Sequence, residues 1–170
     1  MNKNISCDAS VLINFLRIDR IDLFEKCSYA FLITDHVQDE ISNFYPDQRA
    51  VLEHGLHRKA LHKINVEAEQ EFTLFAELNK SGQLGAGECA AIAVAHHRNY
   101  DLAIDDNQAI KKTLALPSPP VVLRTQDLIL LMIQEHLLEI EEADQLIHIW
   151  ATQHRFKLKI QSFSELIEVH

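Results

Sequence analysis

Cysteine, proline and glycine are all scarce in this 170-residue chain, which has three, four and four of them. The cysteines (Cys7, Cys27 and Cys89) are odd in number and form no Cys-x-x-Cys pair, so neither a disulfide framework nor a zinc knuckle is expected. No stretch reaches the ~18 consecutive apolar residues of a membrane span, and the N-terminus lacks the apolar core of a secretory signal. These absences predict a cytoplasmic protein with no membrane partner.

Positive charge is in short supply as well. The chain has 16 Lys and Arg against 25 Asp and Glu, which gives a formal net charge of −9. This balance argues against a protein that binds nucleic acid non-specifically through a basic face, although it permits a nucleic-acid enzyme with a small site. The ten histidines include no His-Glu-x-x-His motif, so metal ligation by histidine is not expected either.

Short apolar runs alternate with segments of helical periodicity along the chain. The predicted strands cover residues 4–8, 30–33, 102–105, 121–125 and 157–160. The predicted helices cover residues 10–16, 21–27, 36–44, 48–64, 67–80, 88–98, 107–114, 126–136, 141–154 and 162–167. This alternation predicts a single α/β domain over residues 1–170, with three layers (α/β/α) around a central parallel sheet of about four to five strands. Residues 1–125 form its predicted core and residues 126–170 a helical extension.

Acidic residues follow two of the predicted strands. Asp8 ends the first strand in NISCDASVL, and Asp105 and Asp106 end a later one in LAIDDNQAI. Each of them also fits the ordinary role of a helix N-cap or turn residue. Because the carboxyl ends of parallel strands meet at one edge of a sheet, where ligands bind in such folds, the three acids together predict a shared site.

A second acidic segment, TDHVQDEISNF, predicts a helix that is capped by Asp35. Val37, Ile41 and Phe44 form its predicted buried stripe, which puts Glu40 on the flank of that stripe and Asp39 nearly opposite it. Glu40 can therefore point inward, although a boundary glutamate that extends to water has the same spacing.

Three of the four glycines, Gly82, Gly85 and Gly87, surround the start of LGAGECAAIAVA. Glycine lets the backbone come close to another element, and the small alanines that follow let the helix lie close to the sheet. We therefore expect Glu88 at the helix start on the sheet-facing side, within reach of an ion shared with Asp8. A favourable contact with the helix dipole is the simpler explanation for Glu88, but it leaves the glycines unexplained.

These acids are costly to bring together. Two carboxylates ~5 Å apart repel by about 3 kcal/mol at an effective dielectric constant of about 20, so a cluster of four needs protons or cations. Oxygen ligands without His or Cys favour Mg²⁺ or Mn²⁺. A divalent ion in an acidic cluster is the apparatus of phosphodiester hydrolysis.

In four segments, taken in order, the chain resembles the PIN-domain family, many of whose members are metal-dependent ribonucleases. The segments are DASVLINFLRIDRIDLFEKC, LITDHVQDEI, LGAGECAAIAVA and YDLAIDDNQAIKK. Together they span roughly the first 125 residues. The glycine loop before a glutamate and the double aspartate are most similar to stand-alone prokaryotic PIN proteins related to the VapC-type toxins of toxin–antitoxin systems.

The resemblance implies a set of site residues. The implied metal ligands are Asp8, Glu40, Glu88 and Asp106. Asp105 competes with Asp106 for the fourth position, and all five acids are catalytic candidates. Ser10 is a candidate to support Asp8 or a substrate phosphate, and Asn107 is a second candidate for substrate binding.

The resemblance also implies an activity, which is cleavage of single-stranded RNA with Mg²⁺ or Mn²⁺ to leave 5′-phosphate and 3′-hydroxyl ends. It implies an antitoxin protein as a candidate partner and a homodimer as the expected assembly.

Two other functions compete with this one. A PIN fold with weak or no cleavage, which docks nucleic acid or a protein, fits the net charge of −9. An aspartyl phosphatase fits less well, because that family has a second acid two residues after its first aspartate, where this chain has Ser10.

The two helices after residue 125 depart from the compact toxin pattern. Their main apolar residues are Leu128, Leu131, Met132, Leu146, Ile149 and Trp150. These residues either pack on the domain or form a surface for a dimer or an antitoxin, and we expect packing.

Overall fold

The computed structural model describes residues 3–167. Its strands are β1 (Asn4–Cys7), β2 (Ala30–Thr34), β3 (His62–Ile64), β4 (Asp101–Ala103) and β5 (Val122–Leu123). Its helices are α1 (Ala9–Arg17), α2 (Asp22–Lys26), α3 (Asp35–Phe44), α4 (Pro46–His57), α5 (Glu69–Lys80), α6 (Ala86–Arg98), α7 (Asn107–Leu114), α8 (Thr125–Gln134), α9 (Ile140–Gln153) and α10 (Ser164–Ile167). No helix within residues 3–167 is both long and apolar enough to cross a membrane.

The five strands form one parallel sheet in the order β3-β2-β1-β4-β5. Strand β1 is central, since Ser6 lies beside Leu32 of β2 on one side and beside Leu102 of β4 on the other. The chain builds outward from β1 in one direction and then in the other. Such a reversal leaves a crevice beyond the carboxyl ends of β1 and β4, where ligands bind in open α/β sheets. The predicted α/β fold around a parallel sheet is confirmed.

Helix α6 lies directly on this sheet. The hydroxyl of Ser6 on β1 donates to the backbone carbonyl of Ala91 at 3.0 Å, and residues 89–95 are completely buried. Alanine projects only a methyl group, so the helix backbone comes close enough for a strand side chain to reach its carbonyl. This contact holds the start of α6, and with it Glu88, beside the crevice.

The C-terminal helices α8 and α9 pack on the same core, as expected. Leu128 and Met132 of α8 and Trp150 of α9 are fully buried in the main hydrophobic cluster. The Trp150 ring meets the Phe15 ring edge-on at 6.1 Å, and its Nε1 donates to the Asn14 carbonyl at 2.8 Å. The extension is therefore joined to α1 by both apolar packing and a buried hydrogen bond.

One segment that was predicted as helix is in part a strand. The helix expected over residues 48–64 ends at His57, and residues 62–64 instead form β3 at the edge of the sheet. The chain turns between them through Lys59, which has a left-handed backbone (φ 63°). His62 and Lys63 are exposed, so this three-residue strand lacks the apolar run that would have distinguished it from a polar helix.

Three further expectations need correction. Phe44, expected in the buried stripe of α3, is 74% exposed, because it is the last residue of that helix and lies beyond the part that packs on the core. Residues 157–160 form no strand, although Leu158 and Ile160 pack inward while Lys157 and Lys159 are exposed, which is the alternation that suggested one. The cap of α3 is Thr34, whose hydroxyl accepts from the Val37 N–H at 3.3 Å, and Asp35 is already helical.

A buried ion pair joins α5 to α6. Glu71 is 2% exposed and accepts from Arg98 through Nε at 2.6 Å and Nη2 at 3.0 Å. The backbone N–H groups of Glu67 and Ala68 also donate to it, at 2.8 and 3.3 Å. The hydrogen bonds from Arg98, followed by those from the backbone, lower the pKa of Glu71 to about 2. Both carboxylate oxygens are satisfied, so the pair stabilises the fold while Glu71 is ionised.

We predict that Glu71→Gln destabilises the protein at pH 7 by about 2–3 kcal/mol, because the charge-assisted bonds to Arg98 are lost. The folded pKa of Glu71 is depressed, so its contribution is present above the unfolded pKa and is lost as pH falls from about 4.5 towards 2. Urea unfolding of wild type and variant at several pH values measures the gap. Glu69→Gln, an exposed change on the same helix, is the control. A gap that stays constant down to pH 2.5 would contradict the prediction.

Candidate active site

The five predicted acids line one pocket of about 430 Å³ at the crevice beyond β1 and β4. They are Asp8, Glu40, Glu88, Asp105 and Asp106. Ser10 lines the same pocket, whereas Asn107 lines a neighbouring one. The structure therefore brings together acids from four separate segments of the chain.

Asp8 forms the buried end of this pocket, with 1% of its surface exposed. Its Oδ2 accepts from the Ser10 N–H at 3.0 Å and from the Ser10 hydroxyl at 2.6 Å, so Asp8 is also the N-cap of α1. Its Oδ1 is buried without a hydrogen-bond partner among residues 3–167. Burial raises the pKa of Asp8, and the bonds from Ser10 oppose that rise. A carboxylate oxygen left bare inside a protein calls for a proton or a cation.

Glu40 reaches the pocket because α6 has no side chain at Gly87. A Cβ built on Gly87 would collide with Oε2 of Glu40. Glu40 is half-buried while Asp39 is exposed, as the helical spacing predicted. Burial, and then the charge of Asp8, raise the pKa of Glu40.

The expected role of the glycines is therefore only partly right. The close approach is made by Gly87 alone, and it is towards Glu40 on α3 rather than towards the strand ends. Gly82 has a left-handed backbone (φ 63°), which forms a turn, and a Cβ on Gly85 would meet open space.

Glu88 lies in the first turn of α6, where its Oε2 accepts from the Gly85 N–H at 3.0 Å. Burial is the main cause that raises its pKa to about 7, and the charges of Asp8, Asp106 and Glu40 raise it further. The bond from Gly85 acts in the opposite direction. Four carboxylates thus share one electrostatic environment that disfavours their full ionisation.

The two adjacent aspartates have different surroundings. Both oxygens of Asp105 are occupied: Oδ1 by the Thr125 N–H at 3.0 Å, and Oδ2 by the Thr125 hydroxyl at 2.5 Å and the Asn14 amide at 3.1 Å. Asp106 is exposed, and its Oδ1 caps α7 by accepting from the Ala109 N–H at 2.8 Å. Asp106 therefore has the carboxylate with more capacity for another ligand.

The carboxylates are the kind of ligand that a hard divalent cation prefers, but their side chains are not arranged to coordinate one. All are carboxylates with oxygen ligands, and the Oδ1 of Asp8 has no hydrogen bond within residues 3–167 that would compete with a cation or a proton. No three Asp, Glu, His or Cys side chains within the described range, residues 3–167, are grouped closely enough to hold an ion. Glu88 and Asp106 both turn an oxygen towards the backbone of their own helix. The expectation that Asp8 and Glu88 share an ion stays a prediction.

The sequence as a whole matches a family model described as a PIN domain (DUF3368) over residues 4–167. The chain belongs to the PIN-domain family. The match runs through the C-terminal helices, beyond the segments in which the resemblance was first visible.

Among solved structures, this PIN domain is similar to VapBC2 from Rickettsia felis, which was crystallised bound to a DNA fragment from its promoter. The two are 15% identical, with a TM-score of 0.49, and the alignment covers 71% of this chain and 98% of that one. A comparison with curated proteins finds no match.

A buried polar network behind the acids of this PIN domain was not predicted. Asn14 is 3% exposed, and its amide donates to the Ser10 carbonyl at 3.2 Å and the Thr125 hydroxyl at 3.0 Å, besides Asp105. The Ser10 hydroxyl, which donates to Asp8, also accepts from the Asp105 N–H at 3.0 Å. The one available signal was the lone polar residue in the apolar run VLINFL.

The basic and aromatic rim of the pocket was not predicted either. Arg17, Arg155, Tyr45 and Phe156 line it together with the acids. They come from the end of α1, the start of α4 and the segment after α9. No sequence spacing connects these positions, because only the tertiary fold brings them together.

We predict that Thr125→Val destabilises this PIN domain by about 1–3 kcal/mol, because the hydroxyl's bond to the Asp105 carboxylate and the bond that it accepts from the Asn14 amide are both lost. Urea unfolding at pH 7 measures the loss. Thr152→Val is the control, since its exposed hydroxyl bonds only to the His148 carbonyl one turn earlier in α9. Equal effects of the two substitutions would contradict the role given to the network.

Proposed function

We propose that this PIN domain is a Mg²⁺- or Mn²⁺-dependent endoribonuclease that cleaves single-stranded RNA. The observation that carries the proposal is the pocket itself, which five carboxylates line and whose buried end holds an unpartnered oxygen of Asp8. The raised pKa of Glu88, about 7, supports it further, because such a cluster gains most from a positive ion.

Each acid has a role in this proposal. The proposed metal ligands are Asp8, Glu40, Glu88 and Asp106. A bound divalent ion would supply Lewis acidity and lower the pKa of a water molecule. Asp105 is a positioning residue, because its oxygens already accept three hydrogen bonds. Ser10 holds the Asp8 carboxylate in place, and Asn107 lies next to the pocket on the side of Arg124.

The expected products are a 5′-phosphate and a 3′-hydroxyl. A single strand suits the pocket, because only an unpaired and flexible backbone can bring one phosphate down among the buried acids.

The proposed cellular role follows from the family resemblance. We infer a toxin of a toxin–antitoxin pair that acts in the cytoplasm, with an antitoxin protein as its partner and a homodimer as its assembly. Segments shared with the toxin branch, namely the glycine loop before Glu88 and the double aspartate, support this inference.

A second candidate function is a PIN domain that binds nucleic acid or a protein without cleaving it. The observation that favours it is that no three ligating side chains are grouped for an ion within residues 3–167. Metal binding separates the two functions, because an ion that binds only the folded protein raises the midpoint of thermal unfolding.

We predict that Asp8→Asn lowers metal-dependent RNA cleavage by at least about 100-fold, because the site loses the carboxylate at its buried end. Cleavage of a 5′-labelled single-stranded RNA with Mg²⁺, Mn²⁺ or EDTA measures it. Asp39→Asn makes the same chemical change on the exposed side of α3 and should retain activity. Full cleavage by Asp8→Asn would refute the nuclease proposal, and a wild type that neither cleaves RNA nor is stabilised by Mn²⁺ would support the second candidate.

We also predict that Gly87→Ala lowers cleavage by about ten- to hundredfold with little loss of stability. The added methyl group displaces the flexible end of Glu40, and a misplaced catalytic group costs rate rather than folding free energy. Gly85→Ala is the matched control, because its methyl group would extend into open space. Initial cleavage rates and thermal midpoints of both variants test this, and equal rates would show that Glu40 needs no such clearance.

A further inference from the structure

The acid pocket lies in the middle of a longer depression. On one side it shares Arg17, Tyr45, His154 and Arg155 with a pocket of about 420 Å³. On the other side it shares Asp105 and Phe156 with a pocket of about 300 Å³. The three pockets therefore adjoin one another, and together we call them the groove.

The arginines that form no salt bridge within residues 3–167 are concentrated along this groove. The chain has seven arginines, and four of them form salt bridges elsewhere: Arg20, Arg49, Arg58 and Arg98. The other three, Arg17, Arg124 and Arg155, form no salt bridge with any carboxylate among residues 3–167, and all three line the groove. In a chain with a net charge of −9, the arginines that form no salt bridge within residues 3–167 therefore all lie where an anion could contact them.

The segment after α9 adds two lysines to the same wall. Arg155 has a left-handed backbone (φ 55°) that ends the helix, and the Phe156 ring packs edge-on against Trp150 at 5.6 Å. Beyond it Leu158 packs inward, while Lys157 and Lys159 are exposed and line the pocket beside Arg124. Both lysines therefore add positive charge to the part of the groove that carries Arg124.

Exposed aromatic rings occur at the opposite end of the groove. Phe44 is 74% exposed, and Tyr45 carries the Arg17 guanidinium 5.8 Å from its ring centre. Both rings line the pocket that Arg17 and Arg155 share. Aromatic rings between cations are the usual means of binding single-stranded nucleic acid, in which bases stack on rings and phosphates contact Lys or Arg.

We propose that the groove binds the backbone of a single-stranded RNA across the acid pocket. Arg124, Lys157 and Lys159 contact phosphates on one side of the cleavage position, and Arg17 and Arg155 contact them on the other. Bases on the second side stack on Phe44 and Tyr45. This inference rests on the proposed nuclease function, and it gives the C-terminal segment a direct part in holding the substrate.

The first test removes charge from one wall. Lys157→Gln/Lys159→Gln is compared with Lys63→Gln/Lys80→Gln, which changes net charge equally at exposed positions on β3 and α5. Binding of a fluorescein-labelled oligouridine in EDTA is followed by anisotropy over a range of salt concentrations. Each lost phosphate contact removes a slope of about 0.7 in log K against log salt. The groove variant should therefore bind roughly 25-fold more weakly at 0.1 M salt, while the control binds as wild type does.

The second test addresses the aromatic end. Phe44→Ala should weaken binding of the same oligouridine by at least about fivefold, because a stacked base is lost. Phe72→Ala, which removes another exposed ring from α5, should have no effect. Both rings are exposed, so neither substitution is expected to prevent folding.

The outcomes separate this inference from the nuclease proposal. If wild type cleaves RNA with Mg²⁺ or Mn²⁺ and both groove variants bind RNA as their controls do, the groove is refuted and the nuclease stands. If the groove variants lose binding but wild type cleaves nothing with either metal, the groove stands and the nuclease is refuted. Equal affinity for duplex RNA would refute the single-strand assignment, and absence of any RNA binding by wild type would refute the groove outright.

Discussion

The structure depends on one costly placement, which is a carboxylate buried at the carboxyl end of the central strand. Taking an ionised group out of water is expensive unless it is paired, and Ser10 satisfies only one of the two oxygens of Asp8. The parts around Asp8 can be understood as consequences. A helix cap holds the first oxygen, and the charge of Asp8 contributes to the raised pKa values of Glu40 and Glu88.

Negative and positive side chains occupy different parts of the groove. Carboxylates occupy its centre, guanidinium groups that form no salt bridge within residues 3–167 lie at both ends, and two ammonium groups lie at the end that carries Arg124. An anionic polymer is therefore attracted to the ends and repelled from the centre until a cation neutralises the acids. The same arrangement lets a protein with a net charge of −9 have a local surface that suits nucleic acid.

The sequence alone was sufficient to predict the features that depend on a single helix or strand. Strand ends located Asp8, Asp105 and Asp106, and helical spacing distinguished Glu40 from Asp39, because both patterns are properties of a single segment. It was insufficient where the answer depends on contacts between segments. Nothing near β3 in the sequence marks a polar edge strand.

The same limit applies inside the site. Gly87 is explained only by a side chain on another helix, Glu40. The distinction between the two aspartates needed Asn14 and Thr125, which are far from them in the sequence. The basic groove is assembled from the ends of three elements and was invisible in a composition dominated by acids.

Trp150 gives the molecule an internal optical reporter. It is the one tryptophan in the chain, it is completely buried, and its indole N–H is bonded to the carbonyl of Asn14. Asn14 in turn bonds to Asp105, and the Trp150 ring touches Phe156 at the edge of the site. Its fluorescence emission therefore registers the docking of the C-terminal segment and the hydration of the polar network at once. If a ligand or a substitution loosens the segment or the network, the change can be followed through the emission wavelength of Trp150 without any added label.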